Sequence, residues 1–136
     1  MGKVLCMRDA DQVWDRAVEY ERGLSAQGDL ALRDVLTFHG SVHSGGLVDA
    51  VGNYVKDVNF PVARVIDAYR YFGSESMAAL ISECFTERLA VGEEDADAAE
   101  RLELRFDPQY MLDDEDLTAL LRNRVATSPE DFAPTG

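Results

Sequence analysis

The stretch TFHGSVHSGGLVDAVGN, residues 37–53, decides the fold. Before and into it, Leu32, Val35, Leu36 and His39 recur at helical spacing; within and after it Leu47, Ala50, Val51 and Tyr54 do the same. Between the two sets stand Gly45 and Gly46, adjacent residues without a Cβ, which a tight backbone reversal favours. Two helices joined by a glycine turn therefore lie at the centre, and the reading predicts an all-α chain.

The same stretch holds both histidines. His39 and His43, four apart on a continuous helix, would place their imidazoles on one side, which is the spacing of helical zinc ligands. Gly40 stands where the H-E-x-x-H pattern has its general-base glutamate, and no third ligand is evident in the sequence. The expectation is two satisfied or partly exposed histidines near a helix C-terminus, with no metal and no cofactor. Amides at the start of the next helix offer an anion site in principle. Without G-x-G-x-x-G or a P-loop lysine, Gly45 and Gly46 are expected to form a packing turn.

Upstream, Trp14, Ala17, Val18 and Leu24 predict a helix from Asp9 to about Ala26, capped by Asp9 or Asp11, with Trp14 as a core anchor. Gly28 is expected to interrupt the chain and Asp29 to cap the next helix. Downstream, Pro61 suits the first turn of a helix over residues 62–72, whose stripe is Val62, Val65, Ile66, Tyr69 and Phe72. Gly73 ends it. Met77, Leu80, Ile81, Cys84, Phe85 and Leu89 form the stripe of a second helix closed by Gly92, and the pair predicts an antiparallel helical hairpin. Cys84 reads as core filling, and Cys6 and Cys84 have neither metal-ligand spacing nor the look of a disulfide framework.

Ala98, Ala99, Leu102 and Phe106 predict a further helix. Residues 101–106, RLELRF, alternate in polarity, so a short strand is the alternative there; the alanine-rich lead-in favours helix. A last helix carries Leu117, Leu120, Leu121 and Val125, and Ser128–Pro129 opens a capped single turn that docks Phe132. This makes one compact domain of about six to seven helices spanning residues 1–136, ordered over about 9–132, with a tail at 133–136.

Of the 136 residues 46% are apolar, enough for one core. No apolar run approaches the roughly 20 residues needed to cross a bilayer, and the N-terminal apolar stretch breaks at Arg8 and Asp9, so the expected location is cytoplasmic. The net charge is −13. Thirteen of the 26 acids but only four of the thirteen basic groups fall in residues 93–136, an acidic C-terminal third. Such a field opposes nucleic acid and anionic membranes, which need clustered Lys and Arg. No local spacing sets a nucleophile beside a base, so a non-catalytic role is expected.

Three stretches together carry a family resemblance: HGSVHSGGLVDAV (39–51), RVIDAYRYFGSESMAALI (64–81) and FDPQYMLDDEDLTALLRNRVATSPEDFAP (106–134). The chain resembles the helical domain of the bacterial DNA-mimic proteins in its glycine pair after a helix, its alanine-and-aromatic helix ending in glycine, and its Asp-rich final segment around D-x-x-Y and P-E-x-F. Ser44 and Leu47 stand where that family usually has an asparagine and an aromatic. The resemblance implies a basic, DNA-binding partner such as a transcription regulator or nucleoid protein. Glu93, Glu94, Asp95, Asp97, Asp113, Asp114, Glu115 and Asp116 would be the phosphate-mimicking carboxylates. A homodimer is compatible with the same sequence. Two alternatives stand beside it: a small metal-binding or enzymatic helical protein using His39 and His43 beside the Gly45–Gly46 turn, and an immunity-type inhibitor of a toxin.

Overall fold

The computed structural model describes residues 7–19, 25–55, 61–92 and 94–134. Among them are seven α-helices and no strand: α1 (Met7–Val18), α2 (Gln27–Gly45), α3 (Leu47–Val55), α4 (Val62–Tyr71), α5 (Glu75–Ala90), α6 (Ala96–Phe106) and α7 (Asp114–Thr127). Two short 3-10 turns, Asp107–Gln109 and Pro129–Asp131, follow α6 and α7. None of these helices is long and apolar enough to cross a membrane.

The 19-residue α2 is the axis of the molecule. It packs against α1, α3 and α4, and buries Leu32, Val35 and Phe38 among them. Its inward set includes Phe38, at 0% exposure, in place of the predicted Leu36, which is only partly buried. The helical hairpin forms as expected from α4 and α5, with all five predicted α4 stripe residues buried. Gly73, at φ 85°, closes α4 in the left-handed conformation. The Gly73 amide donates to the Arg70 carbonyl at 2.9 Å and the Ser74 amide to the Tyr69 carbonyl at 3.0 Å, the paired bonds of a Schellman motif. α3 lies on α5, α6 covers α3 and α5, and α7 returns to α1.

Several local expectations are corrected. Gly28 does not interrupt the chain, because α2 already begins at Gln27. Its missing side chain serves packing instead: a Cβ there would lie 2.5 Å from the Phe132 ring. Asp29 is not an N-cap. That position belongs to Ala26, and Asp29 lies fully buried inside the first turn. Asp9 and Asp11 fall within α1 and not before it, and α1 ends at Val18; residues 20–24 of the longer predicted helix lie outside the described residues.

The alternating RLELRF segment is helical. The helix period buries Leu102 and Phe106, four apart, and leaves Leu104 73% exposed, so the apparent alternation reflects one inward pair and one solvent-facing leucine. Leu89, predicted inward, is 54% exposed near the end of α5, which stops at Ala90 without left-handed closure at Gly92. Trp14 packs partly buried at the core margin, and Cys84 is fully buried. Beyond Phe132, the expected tail is held at its start: Arg16 donates to the carbonyls of Ala133 and Pro134, each at 3.2 Å.

Candidate functional site

The glycine turn is filled by the protein's own anion. α2 runs unbroken through Gly40 to Gly45 and stops at Gly46, whose φ of 93° is left-handed and whose amide donates to the Val42 carbonyl at 2.7 Å. Asp107, from the corner after α6, presses its carboxylate into the turn. It accepts a hydrogen bond from the Val48 amide at 2.9 Å, and a Cβ on Gly46 would overlap its Oδ2. An amide at the start of α3, a natural place for an anion, therefore binds an internal carboxylate. Of the predicted pair, Gly46 makes the turn, while Gly45 is the last residue of α2.

Because α2 is continuous, His39 and His43 do share a side, and their rings meet edge to face with centroids 4.2 Å apart. Their environments differ. His39 is 4% exposed and His43 is exposed. His39 Nε2 lies 2.9 Å from Asp114 Oδ1, on the first residue of α7, and its Nδ1 lies 2.8 Å from the Tyr110 hydroxyl. Tyr110 in turn lies 2.7 Å from the hydroxyl of Tyr69, a buried residue of α4.

Burial pushes the His39 imidazole below its ordinary value of 6.5, more strongly than the Asp114 hydrogen bond raises it, so the neutral ring is favoured. A neutral imidazole has one donor and one acceptor, and an ionised carboxylate only accepts. The proton therefore sits on Nε2 and is donated to Asp114. Nδ1 accepts from Tyr110, which accepts from Tyr69. A directed chain of three hydrogen bonds runs from the core to the surface carboxylate, joining α4, α2 and α7. Burial also raises the Tyr110 phenol far above its usual range, keeping it a donor.

The predicted acidic residues divide by what they touch. Asp95 caps α6 by accepting from the Ala98 amide at 3.0 Å. Asp113 and Asp116 form a reciprocal capping box on α7: Asp113 Oδ1 accepts from the Asp116 amide at 2.8 Å, and Asp116 Oδ2 accepts from the Asp113 amide at 3.0 Å. Asp114 holds His39. Three of the four consecutive acids thus have structural partners. Glu94, Asp97 and Glu115 are exposed without hydrogen bonds or ion pairs among the described residues, and Glu93 lies outside them.

The two acidic segments start different helices, α6 resting on α3 and α5, α7 on α1. Neither is neutralised by nearby arginine. Arg105 bridges Glu83 and Glu87, and Arg124 pairs with Asp131 and covers the Tyr71 ring at 4.1 Å. Arg101 and Arg122 form no ion pair among the described residues.

A separate cleft of about 450 Å³ opens between α2 and α4, lined by Leu30, Ala31, Asp34, Arg64, Ala68 and Tyr71. Arg64 grips Asp34 through Nε and Nη2, both at 2.9 Å. Burial nevertheless pushes the Asp34 carboxyl above its usual range, outweighing the guanidinium. Nothing in the sequence reading flagged this cleft, because its lining comes from two helices some 30 residues apart.

The chain matches no family model, no curated protein and no solved structure.

Proposed function

We propose that this chain is a non-catalytic, acidic protein-binding module of the cytoplasm that occupies the DNA-binding surface of a basic partner, such as a transcription regulator or nucleoid protein. The observation that carries the reading is the state of its carboxylates. Glu94, Asp95, Asp97, Asp113, Glu115 and Asp116 are exposed on the first turns of two capped helices and their approaches, with no Arg or Lys paired to them among the described residues. Capping fixes Asp95, Asp113 and Asp116 in place without cancelling their charge. A net charge of −13 adds long-range attraction for a basic groove. A DNA duplex presents about one negative charge per 1.7 Å of axis, and proteins read that array through Lys and Arg; fixed carboxylates offer such a surface a competing array.

The test is competition. Partner captured from host extract by the immobilised chain should be released by duplex DNA and by raised salt. The triple substitution Glu94→Gln, Asp97→Gln and Glu115→Gln, which touches no capping bond, should weaken capture without lowering the melting temperature. Capture insensitive to both DNA and salt would reject the reading.

A further inference from the structure

We propose that His39, His43 and Asp114 form a binding site for one divalent transition-metal ion of the zinc class, with two imidazole nitrogens and one carboxylate oxygen as protein ligands and solvent completing the shell. The proposal is independent of the partner-binding reading.

One ligand atom from each of the three residues lies within 4.8 Å of the others. Two histidines and a carboxylate are the donor set of many Zn²⁺ and Fe²⁺ centres that keep open positions. Bonds of roughly 2.0–2.2 Å to a tetrahedral ion place ligand atoms about 3.4 Å apart. The His39–Asp114 separation of 2.9 Å must therefore widen by about half an ångström, and the longer separations must close. The residues that have to move are free to do so: His43 and Asp114 are exposed, whereas His39 is anchored.

Two further observations distinguish this cluster from an ordinary buried histidine with a carboxylate partner. The first is His43. It has no hydrogen bond among the described residues, yet it stands against His39 with ring centroids 4.2 Å apart. The turn of α2 brings this second imidazole, with no hydrogen bond of its own, beside the His39–Asp114 pair, where it supplies a third donor to a shared ion. The second is the support behind His39. Metal-bound histidines characteristically donate their second ring N–H to an oxygen, which fixes ring and tautomer. Tyr110 supplies that oxygen at 2.8 Å and is itself held by Tyr69 at 2.7 Å. With an ion on Nε2, the imidazole proton resides on Nδ1 and is donated to Tyr110, which donates to Tyr69. The phenol chain reverses direction, its proton count is conserved, and His39 remains neutral.

The sequence shows the two histidines at ligand spacing and conceals only the third ligand. Asp114 is 75 positions from His39 and reaches it only because α7 starts beside the middle of α2.

The experiment uses the full chain without a histidine tag, stripped of metal and titrated with Co²⁺, whose visible bands report coordination number. The expected result is saturation at one Co²⁺ per chain with ligand-field bands of a four- or five-coordinate ion, displaced by Zn²⁺. His43→Ala removes an exposed side chain with no hydrogen bond, so the fold is retained; it should weaken binding at least tenfold, as should Asp114→Asn. Zn²⁺ should raise the melting temperature of the parent chain and not of His43→Ala, since only binding to the native state shifts that equilibrium. Absence of one-to-one Co²⁺ binding, or equal binding by His43→Ala, would overturn the proposal; the latter would mean that the acidic surface alone collects the ion.

Discussion

Asp29 Oδ1 accepts a hydrogen bond from Arg16 Nη2 at 2.8 Å, and its Oδ2 accepts one from the Ala133 amide at the same distance. One buried carboxylate thereby ties α1, the first turn of α2 and the C-terminal segment together. Removing the cation leaves a buried charge, which costs about 3–5 kcal/mol; replacing the carboxylate with an amide keeps one acceptor and costs about 1–3 kcal/mol. Urea unfolding should therefore rank Arg16→Ala as more damaging than Asp29→Asn. The reverse order would mean that the tie depends on the C-terminal segment more than on the ion pair.

Glycine substitutions within α2 should have opposite signs at two positions. Gly40 has no neighbour within 4 Å of a built Cβ, so Gly40→Ala gains helix propensity, about 0.5–1 kcal/mol. At Gly28 the same change drives a methyl to 2.5 Å from the Phe132 ring, and overpacking of this kind costs about 1–3 kcal/mol. In a double-mutant cycle with Phe132→Ala the two costs should fall short of their sum by at least about 0.5 kcal/mol, because the ring is what the methyl strikes. Additive costs would remove Phe132 as the cause.

Alkaline pH should destabilise the protein through two buried groups. Burial pushes the Cys84 thiol from 9.0 up to about 12, with Asp107, Glu87 and Glu83 adding repulsion, and burial pushes the Tyr71 phenol from 10.0 to about 12. Both groups bind their protons more tightly when folded. Their contribution is fully present below pH 9 and is lost as pH rises through the 9–12 window. Denaturant midpoints should fall across that window, with a shallower fall in Cys84→Ala. In a Cys6→Ser background, a thiol reagent at pH 8 should modify Cys84 at least a hundredfold more slowly in native than in unfolded protein.

The helices were legible because each buried stripe is written locally. Val62, Val65, Ile66, Tyr69 and Phe72 recur at a period that solvent and core impose on any amphipathic helix. The hairpin followed from Gly73, whose left-handed φ has a local sequence cause. What the sequence hid is contact between distant residues. Asp29 reads as a cap until Arg16 and Ala133 are brought to it, and Gly28 reads as a breaker until Phe132 arrives. The glycine turn drew attention to His39 and His43, but the third member of that cluster stood in an acidic run whose composition suggested only charge. DDED looks uniform in sequence, yet Asp113, Asp114 and Asp116 each have a different partner and Glu115 has none among the described residues.

That difference yields a last prediction, on α7. Asp113 accepts from the Asp116 amide at 2.8 Å, while Glu115, two residues on, is exposed with no partner among the described residues. Asp113→Ala leaves an N-terminal amide of α7 without its acceptor and should cost about 0.5–2 kcal/mol. Glu115→Ala removes only a favourable interaction with the helix dipole and should stay within about 0.5 kcal/mol of the parent. The two substitutions remove the same charge from the same turn. Thermal melts that separate them show that the run is built partly to start a helix, whereas partner capture should respond to Glu115 as strongly as to Asp113. If Glu115→Ala leaves capture unchanged while Asp113→Ala abolishes it in step with stability, the acidic run serves the fold and not a basic partner.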